Sequence, residues 1–318
     1  MRVLVTGATG FIGSHVVREL RARGHEVRAT IRASSSSHRV EAIHDEVEWV
    51  DCDLLDASRD DLANLGESVD ACIHAAWYVE PGRYAHSPQN VEWVGVSLRL
   101  LEALGAAGCG RAVFLGTCFE YDHRTGYLAE SSPTHPWTLY GAAKLSTWKM
   151  GRHLASQVGV DLSWARLFYQ YGPHESEGRL VPSVIRSLLS GGSPEVTRGT
   201  QIRDFLHVAD VASALVAVAE SDHSGPVNIG SGRPVEVREV VRCIAGILDA
   251  EDRVRFGARP DSPSDPPFIC ANDQILREEL GWTPRFGLED GIRDTVEWWA
   301  GRLTQTTVET ASMEGGAG

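Results

Sequence analysis

The sequence predicts an α/β fold: a doubly wound parallel sheet of about seven strands with a smaller, mainly C-terminal lobe. Three observations carry this. Strand-like and helix-like patterns alternate through the first two-thirds of the 318 residues. Several strand candidates are continuous apolar runs, such as Ala112-Val113-Phe114-Leu115, as expected for strands covered on both faces. The chain also opens on an apolar strand, Val3-Leu4-Val5, that runs into Gly7, Gly10 and Gly13 and then into a helix-like stretch, Ser14 to Arg23.

Taken in order, strands are expected at 2–6, 26–31, 47–51, 71–75, 111–117, 162–168 and 226–229, and helices at 11–23, 59–65, 87–107, 139–157, 208–220, 236–249 and 288–302. Residues 173–205 interrupt the alternation with a short helix near Val181, a Gly191-Gly192 stop and a short strand near Val196. The expected organisation is therefore a nucleotide-binding domain from 1–172 plus 206–234 and a substrate-binding lobe from 173–205 plus 235–302. The small, polar residues 303–318 read as a disordered tail.

Composition narrows the partners. With 42% hydrophobic and 23% charged residues, the chain is ordinary for a soluble domain. No apolar run of membrane-spanning length and no signal-peptide pattern occurs, so a cytoplasmic protein is expected. Six scattered cysteines lack metal-site or disulfide spacing. A net charge of −13 argues against nucleic acid and anionic membranes as partners, so an anion site must gather its arginines locally.

The opening segment has the form that a dinucleotide pyrophosphate needs. Its glycines let the backbone turn tightly and approach the phosphates, and the helix start offers free N–H groups. Gly7, Thr9, Gly10, Phe11, Ile12 and Gly13 are the candidate contacts. Tyr140 and Lys144, four apart on one helix face, form the second feature, because an ammonium beside a phenol favours its ionised form. Thr117, at the C-terminal end of a predicted strand, lies where a parallel sheet delivers side chains to a ligand.

The order Gly7/Gly10/Gly13, Thr117, Tyr140, Lys144 resembles the short-chain dehydrogenase/reductase superfamily. The N-terminal Rossmann core and extra C-terminal lobe make the chain similar to its extended branch, the NAD(P)-dependent sugar-nucleotide epimerase/dehydratase group. The resemblance runs to about residue 302. It implies that Asp53 and Leu54 lie by the adenine, and that Ala75 and Ala76, in the His74-Ala-Ala turn, lie by the cofactor phosphates. It places Arg203, in Gln201-Ile-Arg-Asp-Phe-Leu-His-Val-Ala-Asp210, with Arg179, Val181 and Arg259 about the substrate diphosphate. Trp77 and Tyr78 are candidate walls of the sugar site. Many relatives hold the substrate phosphates with an asparagine near the Tyr171-Gly-Pro turn; here Tyr169 and Gln170 stand in that region. Relatives also pair the helices at 87–107 and 139–157 between subunits, which implies a homodimer.

The second strand ends in Ile31-Arg32, where NAD enzymes usually place an acid for the ribose hydroxyls. Arg32 and the serines after it suit the extra phosphate of NADP(H), the expected cofactor. The segment Thr117-Cys118-Phe119-Glu120-Tyr121 narrows the reaction. Sugar-nucleotide 4,6-dehydratases carry Asp-Glu after the threonine, and Cys118 and Phe119 cannot replace that acid pair; they become candidate substrate contacts. Glu120 falls on the opposite face by strand alternation. The leading expectation is an NADPH-dependent ketoreductase of an NDP-keto-deoxysugar, acting at C4. The alternatives are an NAD-dependent NDP-sugar 4-epimerase, a dihydroflavonol-type reductase of a small carbonyl and a non-catalytic NADP-binding regulator.

Overall fold

A computed structural model of the chain describes residues 1–315. In chain order it forms β1 (Arg2–Thr6), α1 (Phe11–Ala22), β2 (Glu26–Ile31), β3 (Glu48–Asp51), α2 (Arg59–Gly66), β4 (Ala71–His74), α3 (Gln89–Ala106) and β5 (Arg111–Thr117). There follow β6 (Tyr127–Leu128), α4 (Leu139–Val158), β7 (Asp161–Leu167), β8 (Tyr169–Tyr171), α5 (Leu180–Leu189), β9 (Glu195–Val196) and β10 (Ile202–His207). The remainder holds α6 (Val208–Glu220), β11 (Gly225–Ile229), β12 (Pro234–Glu236), α7 (Val237–Ile247), β13 (Arg255–Phe256), β14 (Phe268–Ala271) and α8 (Leu288–Gly315).

Seven strands build the main sheet in the order β11-β7-β5-β4-β1-β2-β3, every neighbouring pair parallel. The strand order reverses at β1, which lies between β2 and β4, so the crevice at the carboxyl ends of β1 and β4 is the topological switch point where such sheets bind ligands. Both faces are covered. Val16, Val17 and Leu20 of α1 and Val211 and Leu215 of α6 pack on one face. Leu62 and Leu65 of α2, Trp93, Leu100 and Leu104 of α3 and Ala155 of α4 pack on the other. This double covering is why β1 and β4 carry unbroken apolar runs.

A second sheet, β12-β10-β14-β6 with β8 also paired to β10, lies beyond the main one. Its short strands were not legible as strands, and β10 shows why. In Ile202-Arg-Asp-Phe-Leu-His207 the buried positions include Arg203 and Asp204, so hydropathy carries no strand signal. The third core joins α5, α7 and α8 through residues such as Ile185, Ile244 and Trp299. Helix α8 is assigned from Leu288 to Gly315 and so runs into the residues expected as a tail. Residues 316–318 of that expectation lie outside the described residues. No helix among the described residues is long and apolar enough to cross a membrane.

Two aspartates fasten the C-terminal region. Asp204 is fully buried, and its carboxylate accepts from the Ser231 amide and hydroxyl (both 2.7 Å), the Gly232 amide (3.0 Å) and the Ala271 amide (3.1 Å). Asp210 accepts from the Arg285 and Phe286 amides, each at 3.0 Å, which pins the segment before α8 onto the start of α6. Asp204→Ala leaves several buried donors unmatched and should cost about 3 kcal/mol or more. Urea unfolding of wild type and variant measures the loss directly; an unchanged midpoint would remove Asp204 from this role.

Candidate active site

The site is assembled from turns at the carboxyl edge of the main sheet. After β1, Gly7 takes φ +70°, and a Cβ there would lie 2.7 Å from the Ala76 nitrogen and 2.8 Å from the Ala75 carbonyl carbon. The β1 and β4 turns thus meet backbone to backbone, and only glycine fits. Thr6 Oγ1 lies 2.6 Å from His74 Nδ1, and His74 Nε2 lies 2.9 Å from Ser97 Oγ, which locks the two turns together. Burial, aided by the Lys144 charge, pulls the His74 imidazole down to about 3, so the ring is neutral at physiological pH. Helix α1 starts at Phe11 after Gly10 at its N-cap, with no side-chain cap and no acid in its first turn. Its first N–H groups and positive dipole end therefore remain available to an anion. This cradle fits the pyrophosphate of a dinucleotide.

At the end of β2, Arg32 Nε donates to Ser35 Oγ (3.3 Å) and Arg32 Nη1 lies 3.9 Å from Asp53 Oδ2. Arg39, from the β2–β3 connection, reaches the Thr9 carbonyl (3.4 Å). Asp53 accepts from the Leu55 amide (3.1 Å), which fixes the turn after β3.

Helix α4 carries the second half. Thr138 Oγ1 accepts from the Gly141 amide (3.1 Å) and caps the helix, which fixes its first two turns and the Tyr140–Lys144 face. Lys144 Nζ donates to the Leu115 carbonyl (2.6 Å) and sits 3.8 Å from the Trp77 ring centre. Burial brings its ammonium down to about 7, opposed by the charge of Glu120. The expected lowering of the Tyr140 phenol does not occur. Burial pushes it well up and the neighbouring Tyr84 adds to this, while a hydrogen bond with Thr117 pulls the other way. Burial of the phenol outweighs the ammonium of Lys144, whose Nζ lies 6.0 Å from the Tyr140 ring centre.

These parts face one cleft of about 1350 Å³ between the main sheet and the C-terminal lobe. Gly7, Thr9 to Gly13, Arg32, Asp53, Leu54 and Ala75 to Tyr78 line it, as do Thr117, Phe119, Tyr140 and Lys144. From the lobe side Tyr169, Arg179, Val181, Arg203 and Arg259 border the same space. Cys118 does not, contrary to expectation. It is 1% exposed and packs with Tyr121, Leu128 and Phe168 beneath the second sheet, because β5 ends at Thr117 and the one-turn 3-10 helix Cys118–Glu120 that follows points Cys118 into that core. Trp77 is partly structural: its Nε1 donates to Asn90 (2.9 Å) and its ring stacks on Trp93.

The sequence reading missed Tyr84, whose ring meets Tyr140 edge-on at 4.9 Å and lies 5.6 Å from the Arg179 guanidinium. It begins a one-turn 3-10 helix, Tyr84–His86, too short to carry a pattern that marks it. Asp265 was missed as well. Its carboxylate pairs at 2.5 Å with Arg203, whose guanidinium also lies 5.4 Å from the Tyr169 ring centre. Among the described residues no group of three or more histidine, cysteine, aspartate or glutamate side chains is arranged to hold a metal ion.

The family model for the NAD dependent epimerase/dehydratase family matches residues 3–230. The chain belongs to this family. Its members here are extended short-chain dehydrogenases/reductases that act on nucleotide sugars. A UDP-glucose 4-epimerase of Azospirillum brasilense is 32% identical over 99% of this chain and 97% of its own length. The UDP-N-acetylglucosamine 4-epimerase of Methanobrevibacter ruminantium M1, solved with UDP-N-acetylmuramic acid, superposes with a TM-score of 0.86 at 26% identity, covering 95% of this chain and 98% of that one. The UDP-glucose 4-epimerase of Thermus thermophilus, solved with NAD, gives a TM-score of 0.79 at 25% identity, covering 95% and 99%.

A diphosphate drawn to Arg203 would compete with Asp265 for the guanidinium. Asp265 is 40% exposed, so the pair is worth about 1 kcal/mol. Asp265→Asn should tighten binding of UDP about fivefold, read by calorimetric titration. Weaker binding would show that Asp265 itself holds the ligand.

Proposed function

We propose that this protein is a nucleotide-sugar 4-epimerase that works with a bound nicotinamide dinucleotide. The observation that carries this reading is the arrangement of the Thr117 to Glu120 segment. Thr117 and Phe119 face the cleft beside Tyr140, while Cys118 is buried in the second core and Glu120 is 0% exposed in an ion pair with Arg166. The acid pair that elimination of water needs is missing from this segment. Proton transfer at one oxygen remains, and relatives close in sequence over nearly the whole chain are named UDP-glucose 4-epimerases.

The nicotinamide ring, when bound, supplies the hydride acceptor and donor for the sugar C4. Tyr140 moves the proton on the C4 oxygen, and its preferred acid form suits return of that proton to a ketone. Thr117 orients the same oxygen through its hydrogen bond with the phenol. Lys144, fixed by the Leu115 carbonyl, would hold the nicotinamide ribose. Arg203, Arg179 and Arg259 suit the diphosphate, since guanidinium pairs phosphate oxygens bidentately. We also propose that α3 and α4 pair between two copies of the chain, where Val91 (62%) and Met150 (55%) are exposed.

Incubation with UDP-glucose or UDP-galactose should interconvert the two without net consumption of cofactor. Tyr140→Phe should reduce turnover by about 10²-fold or more while dinucleotide binding persists. Full activity in that variant would remove Tyr140 from the chemistry.

One observation favours a second reading, an NADPH-dependent 4-ketoreductase of NDP-keto-deoxysugars. Arg32, Ser35 and Arg39 all border the cleft at the end of β2, and Ile31 supplies no carboxylate for ribose hydroxyls. Stoichiometric NADPH oxidation with dTDP-4-keto-6-deoxyhexose, and no UDP-hexose interconversion, would replace the first reading with this one. Under it, Arg32→Asp should shift preference from NADPH toward NADH, measured as the ratio of kcat/KM values.

A further inference from the structure

Glu175 is a buried acid that the chemistry above does not use. It lies in the connection between β8 and α5, borders the cleft, and is 9% exposed. Its Oε2 is buried without a hydrogen-bond partner. An unpaired buried carboxylate is costly, and the group escapes the cost by keeping its proton. Burial pushes it up to about 8, against the opposing influence of Arg179 and a backbone hydrogen bond with Gly172.

Its neighbours place it along the cleft. The preceding carbonyls are held from the dinucleotide side: His15 Nε2 lies 3.0 Å from the Pro173 oxygen, and Arg39 Nε donates to the His174 oxygen (3.2 Å). Four residues on, Arg179 lies by Tyr84, which in turn meets Tyr140. Glu175 thus stands between the start of α1 and the Tyr140 site. The charged and titratable groups around this segment are His174 beside it, His15 and Arg18 on α1, His38 and Arg39 before β3, and Glu177 and Arg179 ahead of α5, of which Arg179 acts on the Glu175 carboxyl.

We infer that Glu175 serves as a neutral acid that donates a hydrogen bond to an oxygen of the ligand filling this part of the cleft. The acceptor is a phosphate or hydroxyl oxygen, supplied either by the dinucleotide or by the nucleotide sugar. A carboxylate at this place would repel phosphate, whereas the protonated group gives it a donor. The inference rests on the nucleotide-sugar reading.

Two measurements test it. Because the folded-state value is raised, the stability tied to this group is complete below its ordinary value of 4.5 and is lost as pH rises to about 8. Glu175→Gln should therefore match the wild-type Tm near pH 4.5 and exceed it at pH 8.5. The second measurement titrates wild type and Glu175→Gln separately with NADH, NADPH and UDP-glucose from pH 6 to 9.5. Lys144 also titrates in this range, so the difference between the two proteins is the reading. Affinity for the ligand that Glu175 touches should fall toward tenfold per pH unit above about pH 8 in wild type. That added slope should vanish in Glu175→Gln, and the arm in which it vanishes identifies the ligand. Equal slopes in both proteins for all three ligands, or equal Tm values at pH 8.5, would overturn the inference. If wild type bound none of the three, the nucleotide-sugar reading would fall first and take the inference with it.

Discussion

The ion pair of Glu120 and Arg166 is the constraint around which the site is built. Both side chains are almost wholly buried. Burying two charges costs several kcal/mol per ion, and their attraction offsets this only when the remaining valences are met. Here they are met. Glu120 accepts from Arg166 Nε (2.8 Å), from Trp164 Nε1 (2.9 Å) and from the Thr117 amide (2.9 Å). Arg166 Nη1 donates to the Tyr121 hydroxyl (3.0 Å), which donates to Asn228 (2.6 Å). The network ties together the carboxyl ends of β5, β7 and β11. It also dictates Gly116, where a Cβ would lie 2.3 Å from Trp164 Nε1.

This network sets the chemistry as well as the fold. It holds the Thr117 backbone, and so aims the Thr117 hydroxyl at Tyr140. It also commits the carboxylate in the Thr117 to Glu120 segment to a structural partner. A carboxylate locked by an indole N–H, a backbone amide and a guanidinium is not free to exchange protons with a sugar. What the cleft retains beside Tyr140 is a hydroxyl, an aromatic ring and a lysine, a set able to position an oxygen and shuttle its proton.

The main sheet was legible because its signals are local. Apolar runs, a glycine turn and periodic helices each report on a few neighbouring residues. The family resemblance then brought together the residues that border one cleft, although they come from six or more segments. The second sheet was not legible, because its strands are two to six residues long and are stabilised by contacts distant in sequence. Asp204 shows the difference: it reads as a surface charge, yet it is a buried hub joined to residues 27 and 67 positions away. Tyr84, Asp265 and the unpaired oxygen of Glu175 were invisible for the same reason, since what matters about each is a neighbour and not its own type. Cys118 failed in the opposite sense: its place next to Thr117 in sequence suggests a cleft residue, but the strand ends at Thr117 and the 3-10 turn over Cys118–Glu120 buries it.

The electrostatics of α4 alter the simplest account of the Tyr–Lys motif. A lysine four residues along a helix is commonly credited with making the phenolate. In this chain Lys144 points at Leu115 and Trp77, its own charge is weakened by burial, and Tyr140 stays firmly in its acid form. At an effective dielectric of about 20, a unit charge some 6 Å away contributes only about 3 kcal/mol, which desolvation of a buried phenolate readily exceeds. The pair is therefore asymmetric on its own: it favours giving a proton to a ketone over taking one from an alcohol. Running the cycle in both directions, as epimerisation requires, needs a further positive charge near the phenol during the oxidative half. An oxidised nicotinamide carries such a charge and its reduced form does not, so the proton preference of Tyr140 would follow the redox state of the cofactor beside it. Reduction alone makes no such demand, and so the charge environment of Tyr140, more than the identity of any residue, separates the two readings of this site.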